Sequence, residues 1–171
     1  MFYRHTRELS KKQVVEAIKK TSSKAGNPDN LYGWGIPDAE KAVTYYGPAF
    51  SNTPELSDDG NKAEIETYVF SSFGLFKSSV ELHVINMQKD ESIYKMEESD
   101  DNFFKCSAAI KPINDYIKFY FKAKDKRGYS TKYPSGILGE YFILKKIKGK
   151  FRILIDQYSG TLHIFHPKKN Y

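Results

Sequence analysis

The chain has 171 residues, which gives room for one ordinary domain with appendages. A content of 40% hydrophobic and 28% charged residues is typical of a soluble globular protein, and the single cysteine, Cys106, excludes an internal disulfide framework. The formal net charge is +6, but residues 141–171 hold seven bases and one acid, so the rest of the chain is neutral and the basic pI indicates nothing about it.

A helix is predicted near the amino terminus. Ser10 is a favoured N-cap residue, and Gln13, three positions later, completes a capping box. Apolar or small side chains then recur at helical spacing, at Val14, Ala17, Ile18 and Thr21. The run from Gly26 to Pro28 ends this helix.

A second, shorter helix is predicted to begin at Pro37. Proline suits the first helical turn, because the amide proton that it lacks has no partner there. Gly47 and Pro48 end this helix.

These helices and their connecting loop resemble the last stretch of a subtilisin-like serine protease (subtilase) catalytic domain. That family commonly closes with an amphipathic helix, a loop rich in Asn, Pro and Asp, a Tyr-Gly-x-Gly turn, an Ile-Pro or Val-Asp step and a final short helix. The matching parts here are Val14–Thr21, Asn27–Asn30, Leu31–Gly35 and Ile36–Ala39.

The resemblance implies a parent that is a secreted bacterial serine endopeptidase with an Asp-His-Ser triad and an Asn-type oxyanion hole. In that family the nucleophile lies in a Gly-Thr-Ser-Met-Ala run upstream of the matching stretch, and this sequence contains no such run. We therefore assign no catalytic residue and expect no peptidase activity from this chain alone.

From Pro48 onwards the hydrophobic period changes to two, which predicts antiparallel strands. The clearest strand is Tyr116–Lys124, and the side chains predicted to share its apolar face are Ile117, Phe119, Phe121 and Ala123. Further strands are predicted at Ala63–Val69, Val80–Ile85, Ser92–Glu97, Phe103–Ala109 and Tyr129–Tyr133. Short strands separated by turns, here including an acidic turn at Glu97–Asp101, are typical of an antiparallel sandwich.

The β region also resembles the immunoglobulin-like or fibronectin-like modules that are appended to secreted bacterial proteases. Pro48–Pro54 is similar to their opening strand. Asn114–Gly128 is similar to their aromatic penultimate strand, in which Tyr-Tyr-Ile-x-Ala-x-Asp-x-x-Gly is common. Met96 lies where such modules often carry a Met before a turn. This resemblance implies a fold type and no chemistry.

The basic C-terminal segment is predicted to form a β hairpin, because apolar residues alternate on either side of a turn at Tyr158–Thr161. Its apolar positions are Phe151, Ile153, Ile155, Leu162 and Ile164. The expected fold class is mainly β: an antiparallel immunoglobulin-like sandwich preceded by two short helices from the end of an α/β subtilase domain. The expected parts are residues 1–46 for the subtilase remnant, 47–146 for the sandwich and 147–171 for the extension.

Gly33 and Gly35 are the first candidates for a binding loop. No predicted strand precedes them, and no third glycine or Lys-Ser/Thr pair follows at phosphate-binding spacing. We interpret them as a tight turn that lets Tyr32 and Trp34 pack.

The histidines do not indicate a metal site. His83 falls on the polar register of its strand and is interpreted as a solvated residue. His163 and His166 would point to opposite faces of one strand, so one ion cannot easily bind both. His5 resembles none of the catalytic motifs of the subtilases.

Two charged runs and the cysteine also favour structural interpretations. Glu97–Asp101 lacks the Asp-x-Asp-x-Asp-Gly pattern of a calcium loop. The aromatic residues of the basic tail alternate with aliphatic ones as in a sheet face, which favours packing over nucleic-acid binding. Cys106 is interpreted as a small buried hydrophobe. No cofactor or metal site is predicted.

The function expected from the resemblance is that of the C-terminal part of a subtilisin-like endopeptidase, with a sandwich that serves spacing, stability or binding of a protein substrate or cell-surface ligand. The alternative is a stand-alone immunoglobulin-like binding or adhesion module without enzymatic activity. No nucleic-acid partner and no membrane span are expected. The parent would be secreted or lie at the cell surface, whereas this chain begins without a signal peptide and would stay in the cytoplasm if expressed alone.

Overall fold

A computed structural model describes residues 9–50, 54–58, 63–86, 88–106, 116–134, 141–147, 150–155 and 163–165. The described chain is mainly β. Its helices are α1 (Lys11–Thr21), α2 (Ala39–Val43) and a 3-10 turn at Lys77–Ser79. Its strands are β1 (Ala49–Phe50), β2 (Glu55–Asp58), β3 (Ala63–Phe70), β4 (Glu81–Ile85), β5 (Glu91–Lys95), β6 (Glu97–Asp100), β7 (Phe103–Cys106), β8 (Tyr116–Lys124), β9 (Ser130–Tyr133), β10 (Phe142–Ile147), β11 (Lys150–Ile155) and β12 (His163–Phe165). Neither α-helix is long and apolar enough to cross a membrane.

The predicted capping box begins α1. The Gln13 amide donates to Ser10 Oγ at 3.3 Å, and Gln13 Oε1 accepts from the Ser10 amide at 2.9 Å, so two amides that the helix leaves open are satisfied. On the predicted apolar stripe, Ala17 and Thr21 are buried.

The predicted start of α2 at Pro37 is wrong by two residues. Asp38 is the N-cap: its Oδ1 accepts from the Lys41 amide at 2.9 Å, and the helix begins at Ala39. A carboxylate cap satisfies an open amide of the first turn, which a proline start does not do.

The strands form two antiparallel sheets. The smaller sheet has the order β1-β3-β7-β6, with β2 also paired to β3. The larger sheet has the order β12-β11-β10-β8-β4-β5, and β9 pairs with β8 beyond the end of β10. Strand β8 is therefore central, as its sequence predicts.

The apolar faces of the two sheets pack on one another. In β8 the alternate residues Ile117, Phe119, Phe121 and Ala123 are at most 6% exposed, which confirms the predicted register. The Phe50 ring of the smaller sheet stacks against Phe121 at 6.1 Å and Tyr133 at 5.4 Å in the larger one. Cys106 is buried in the same core, as predicted.

The predicted acidic turn at Glu97–Asp101 is wrong, because most of it is an edge strand. Glu97–Asp100 forms β6 and pairs with β7, and all four residues are exposed. The chain turns instead at Asp101 and Asn102, and Asn102 has a φ of 60°. Asparagine tolerates that left-handed conformation better than most residues do.

The predicted tail hairpin is confirmed by the pairing of β11 with β12. The predicted turn, Tyr158–Thr161, lies outside the described residues. Strand β11 also pairs with β10 over its whole length, from Lys150 to Ile155, so the tail contributes strands to the larger sheet.

We predict that Phe121→Ala lowers the free energy of unfolding by about 3–5 kcal/mol, because a fully buried ring is removed from a packed core. Tyr120→Ala, on the opposite face of the same strand, is the matched control and should cost clearly less. Denaturant unfolding of both variants tests this. Equal losses would contradict the assignment of an inner and an outer face to β8.

Candidate functional site

An ion pair with a buried carboxylate lies in the turn between β8 and β9. The Asp125 side chain is fully buried. Its Oδ1 accepts from the amides of Arg127 at 2.9 Å and Tyr129 at 3.0 Å, and its Oδ2 accepts from Arg127 Nε at 3.0 Å and Nη2 at 2.7 Å. Four hydrogen bonds offset the cost of removing this carboxylate from water.

The same guanidinium reaches the end of the helical segment. Arg127 Nη2 lies 2.9 Å from the carbonyl oxygen of Thr44 and 2.8 Å from that of Tyr45, so its two protons are shared with these acceptors and Asp125. The Arg127 Cζ lies 3.4 Å from the centre of the Phe73 ring, a cation–π contact. The two carbonyls that follow α2 therefore accept from a cation that the sandwich supplies.

Thr44 and Gly47 complete the junction between the helical segment and the sandwich. Thr44 is fully buried, and its Oγ1 accepts from the Ser72 amide at 3.2 Å. Gly47 has a φ of 138°, and a Cβ added there would lie 2.6 Å from Thr131 Oγ1. Only glycine lets the chain pass so close to β9 on its way from α2 to β1.

The turn after α1 is the tight turn that its glycines predict, but its aromatic residues do not both pack as predicted. Gly33 and Gly35 have φ values of 56° and 80°. The turn folds back on the end of α1, where the amides of Ser23 and Lys24 donate to the carbonyls of Ile36 and Trp34 at 2.9 Å. Tyr32, predicted to pack, is 70% exposed, and Trp34 is half-buried.

The helical segment is fixed to the sandwich at the end of α2. It also presents large apolar side chains to solvent: Leu31 is 87% exposed, Ile36 78% and Val15 49%.

A second polar cluster lies on the outer face of the larger sheet and contains His83. The sequence assigns His83 to this face correctly, but the expectation that it is solvated is wrong, since it is only 5% exposed. Its ring stacks on Tyr120, with centroids 4.5 Å apart and planes 14° apart, because the two residues are directly opposite on β4 and β8. A carboxylate beside each ring nitrogen completes the burial of the His83 ring.

Those carboxylates belong to Glu91, 3.0 Å from His83 Nδ1, and Glu81, 3.2 Å from Nε2. Both ring nitrogens therefore lie within hydrogen-bond distance of a carboxylate. The two carboxylates lie at opposite edges of the ring and cannot share one ion with it. Among the described residues no group of His, Cys, Asp or Glu is arranged to hold a metal.

The contacts within the cluster shift the pKa of Glu91, Glu81 and Tyr120. The Tyr120 hydroxyl, which donates to Glu91 at 2.7 Å, and then His83 hold the pKa of Glu91 below its ordinary value. The ammonium of Lys95, hydrogen-bonded to Glu81, lowers the pKa of Glu81 in the same way. Burial, and then the bond to Glu91, raises the pKa of the Tyr120 hydroxyl.

The remaining candidates do not join either cluster. His163 lies in β12, and its side chain, like His5 and His166, falls outside what is described. From the sequence, the run Asp125–Gly128 predicts only a turn between two strands. The available signal was an Asp two residues before an Arg, since Asp side chains in turns accept from nearby amides.

The sequence was compared with known proteins, and no protein-family model, curated protein or solved structure matches it. The resemblance to subtilases is therefore carried by the residues of Lys11–Ala42 alone.

We predict that Arg127→Ala lowers the free energy of unfolding by about 3–5 kcal/mol, because it leaves the Asp125 carboxylate buried without its cation. Arg127→Lys keeps the charge but not the planar fork and should recover part of the loss. The neighbouring exposed residue gives the control, Lys126→Ala. Denaturant unfolding measures all three, and a loss for Arg127→Ala no larger than that of the control would contradict the role of the ion pair.

We predict that Tyr120→Phe raises the pKa of Glu91 towards its ordinary value, because the hydroxyl that donates to the carboxylate is lost. A carboxylate with a lowered pKa stabilises the fold above the pKa of the unfolded state, about 4.3, and this contribution is lost as pH falls through the folded value. The stability deficit of the variant should therefore shrink on acidification. NMR titration of Glu91 tests this, with Tyr116→Phe as the control. An unchanged pKa of Glu91 would refute the prediction.

Proposed function

We propose that this chain is a non-catalytic accessory part of a subtilisin-like serine endopeptidase. In this proposal residues 1–46 are the end of the catalytic domain, and the sandwich that follows is an immunoglobulin-like module. The parent enzyme would be secreted, and the module would hold and orient the catalytic domain against its substrate or surface ligand.

The strand order supports the immunoglobulin-like part of the proposal. Such sandwiches have strands A, B, E and D in one sheet and C, F and G in the other. In the smaller sheet β2 pairs with β3 beside β1, and the path β2-β3-β7-β6 corresponds to A-B-E-D in chain order. In the larger sheet β4, β8 and β9 take the places of C, F and G, and β5 adds to the free edge of β4.

The observation that carries the protease part is the exposure of large apolar side chains on the helical segment. Arg127 fixes the end of α2 to the sandwich, while Leu31 and Ile36 remain exposed on the segment. Large exposed apolar side chains can mark a surface that packs on another domain. A segment that joins a catalytic domain to its module would have both features.

The second candidate is a stand-alone binding module, and the junction itself favours it. The bonds from Arg127 to Thr44 and Tyr45, with the buried Thr44, make the helical segment part of the sandwich without any further domain. The coding DNA upstream of the Met1 codon separates the candidates. A Gly-Thr-Ser-Met-Ala run there, in any frame, supports the protease, and its absence supports the module.

We predict that Leu31→Ser with Ile36→Ser changes the free energy of unfolding by no more than about 0.5 kcal/mol, because neither side chain is buried within this chain. The double variant should self-associate less at high concentration, as measured by analytical ultracentrifugation. Val69→Ser, at a fully buried position, is the destabilising control. A large loss of stability in the double variant would mean that these residues are core, and the surface argument for a parent domain would fail.

A further inference from the structure

Strand β5 is an open edge of the larger sheet. It pairs with β4 on one side, and no other strand of the described part of the chain pairs with it. All five of its residues, Glu91–Lys95, are exposed, and the apolar Ile93 at its centre is 55% exposed. An exposed edge strand is a template on which another extended strand can pair.

The backbone of β5 directs the hydrogen-bonding groups of three residues to this open edge. The Met96 amide donates to the Val80 carbonyl at 3.0 Å, which fixes the bonded pairs between β4 and β5. Bonded and non-bonded pairs alternate along an antiparallel ladder. The amides and carbonyls of Glu91, Ile93 and Lys95 therefore face away from β4, where a new strand would bond to them.

The sequence of β5 is complementary to itself in the antiparallel direction. In a two-fold symmetric pair centred on Ile93, Glu91 of each copy lies opposite Lys95 of the other, and the two Ile93 side chains lie opposite each other. Opposite charges in directly opposed positions stabilise a sheet, and Ile is well suited to strands. The composition of β5 thus favours a second copy of the same strand as its neighbour.

Both charged side chains of β5 keep bonding capacity for a second copy. The hydrogen bonds of Glu91 use Oε1 alone. Lys95 Nζ donates to the Ser78 carbonyl and to Glu81, which uses two of its three protons. Within the described ranges, Glu91 Oε2 and the third ammonium proton of Lys95 therefore remain for the opposed strand.

Strand β6, at the edge of the smaller sheet, has the opposite property. Its four exposed residues include Glu97, Glu98 and Asp100, so antiparallel self-pairing would bring carboxylates together. Like charges in opposed positions destabilise a sheet, and charged residues commonly protect edge strands in this way. A lysine on an edge usually has the same protective effect, but in the pair of β5 strands Lys95 meets Glu91 and does not repel it.

We propose that two copies of this chain associate through β5, antiparallel and two-fold symmetric about Ile93, so that their larger sheets become one continuous sheet. Each of the three opposed pairs of open-edge residues exchanges two backbone hydrogen bonds. Pairing of five-residue strands buries less than the about 1,600 Å² of a standard stable interface, so the dimer is weak and depends on concentration. Strand β5 lies outside the helical segment that carries the proposed function, so the two proposals fail separately.

Cysteine cross-linking tests the register of this pair. Ser92 of one copy lies opposite Tyr94 of the other as a non-bonded pair, with Cα atoms about 4.5 Å apart, which a disulfide can span. Two Ser92 residues, or two Tyr94 residues, are diagonal neighbours about 7–8 Å apart. With oxidised glutathione, a mixture of Ser92→Cys and Tyr94→Cys should form disulfide dimers at least about 10-fold faster than either variant alone at the same thiol concentration. The native Cys106 is buried, and association through the helical segment would not bring these two positions together.

Charge reversal tests the end pairs, with the dissociation constant of the dimer measured by sedimentation equilibrium. Lys95→Glu places two carboxylates opposite each other at both ends and should weaken the dimer at least about 10-fold. Lys12→Glu makes the same change of net charge at an exposed position of α1 and should alter the constant less than about 2-fold. Mixing Lys95→Glu with Glu91→Lys should restore association, because opposite charges then meet at both ends, which a frayed β5 would not allow.

Three outcomes would overturn the proposal. The first is a chain that stays monomeric at about 1 mM, which would leave the edge of β5 to a different occupant. The second is cross-linking of the single cysteine variants as fast as that of their mixture, which would exclude the register. The third is equal weakening by Lys95→Glu and Lys12→Glu, which would indicate an effect of net charge alone. Thermal unfolding of each variant establishes that it is folded.

Discussion

The arrangement of this molecule depends on the bonds of one guanidinium. Arg127 binds the buried Asp125 within its own turn and the last carbonyls of the helical segment across the junction. A buried carboxylate without a cation costs free energy, so Asp125 depends on Arg127, and the same guanidinium adds hydrogen-bond donors to the carbonyls of Thr44 and Tyr45. The planar guanidinium of Arg127 binds both groups at once, and its face packs on the Phe73 ring. The position of α2, and of α1 packed on it, follows from this contact.

Strand β8 has two unlike faces. Its inner residues, such as Phe119 and Phe121, form the core against the smaller sheet. Its outer residues, such as Lys118 and Tyr120, belong to an ordered polar surface in which rings fix cations and a histidine bridges two carboxylates. The period of two along one strand thus separates the apolar core from an ordered polar surface.

Local patterns predicted much of the fold. The capping box at Ser10, the bounds and inner face of β8 and the tail hairpin were readable because each depends on short-range chemistry or alternation. The two polar clusters could not be predicted from the sequence, because they depend on which residues of distant segments lie next to one another. His83 appeared solvated until its pairing with Tyr120 was known, and Arg127 appeared to be a turn residue. Glu97–Asp100 shows tertiary context overriding propensity, since an acidic run became an edge strand.

The central claim is that Arg127 makes the end of the helical segment part of the sandwich, and native-state hydrogen exchange tests it most directly. The account predicts that the amides of Thr44, Tyr45 and Gly47 exchange as slowly as those of Phe119 and Phe121, through global unfolding. The amides of α1, which packs mainly on α2, should exchange faster through local opening. Exchange at Thr44, Tyr45 and Gly47 as fast as in α1 would contradict the claim, because the junction would then open independently of the sheets.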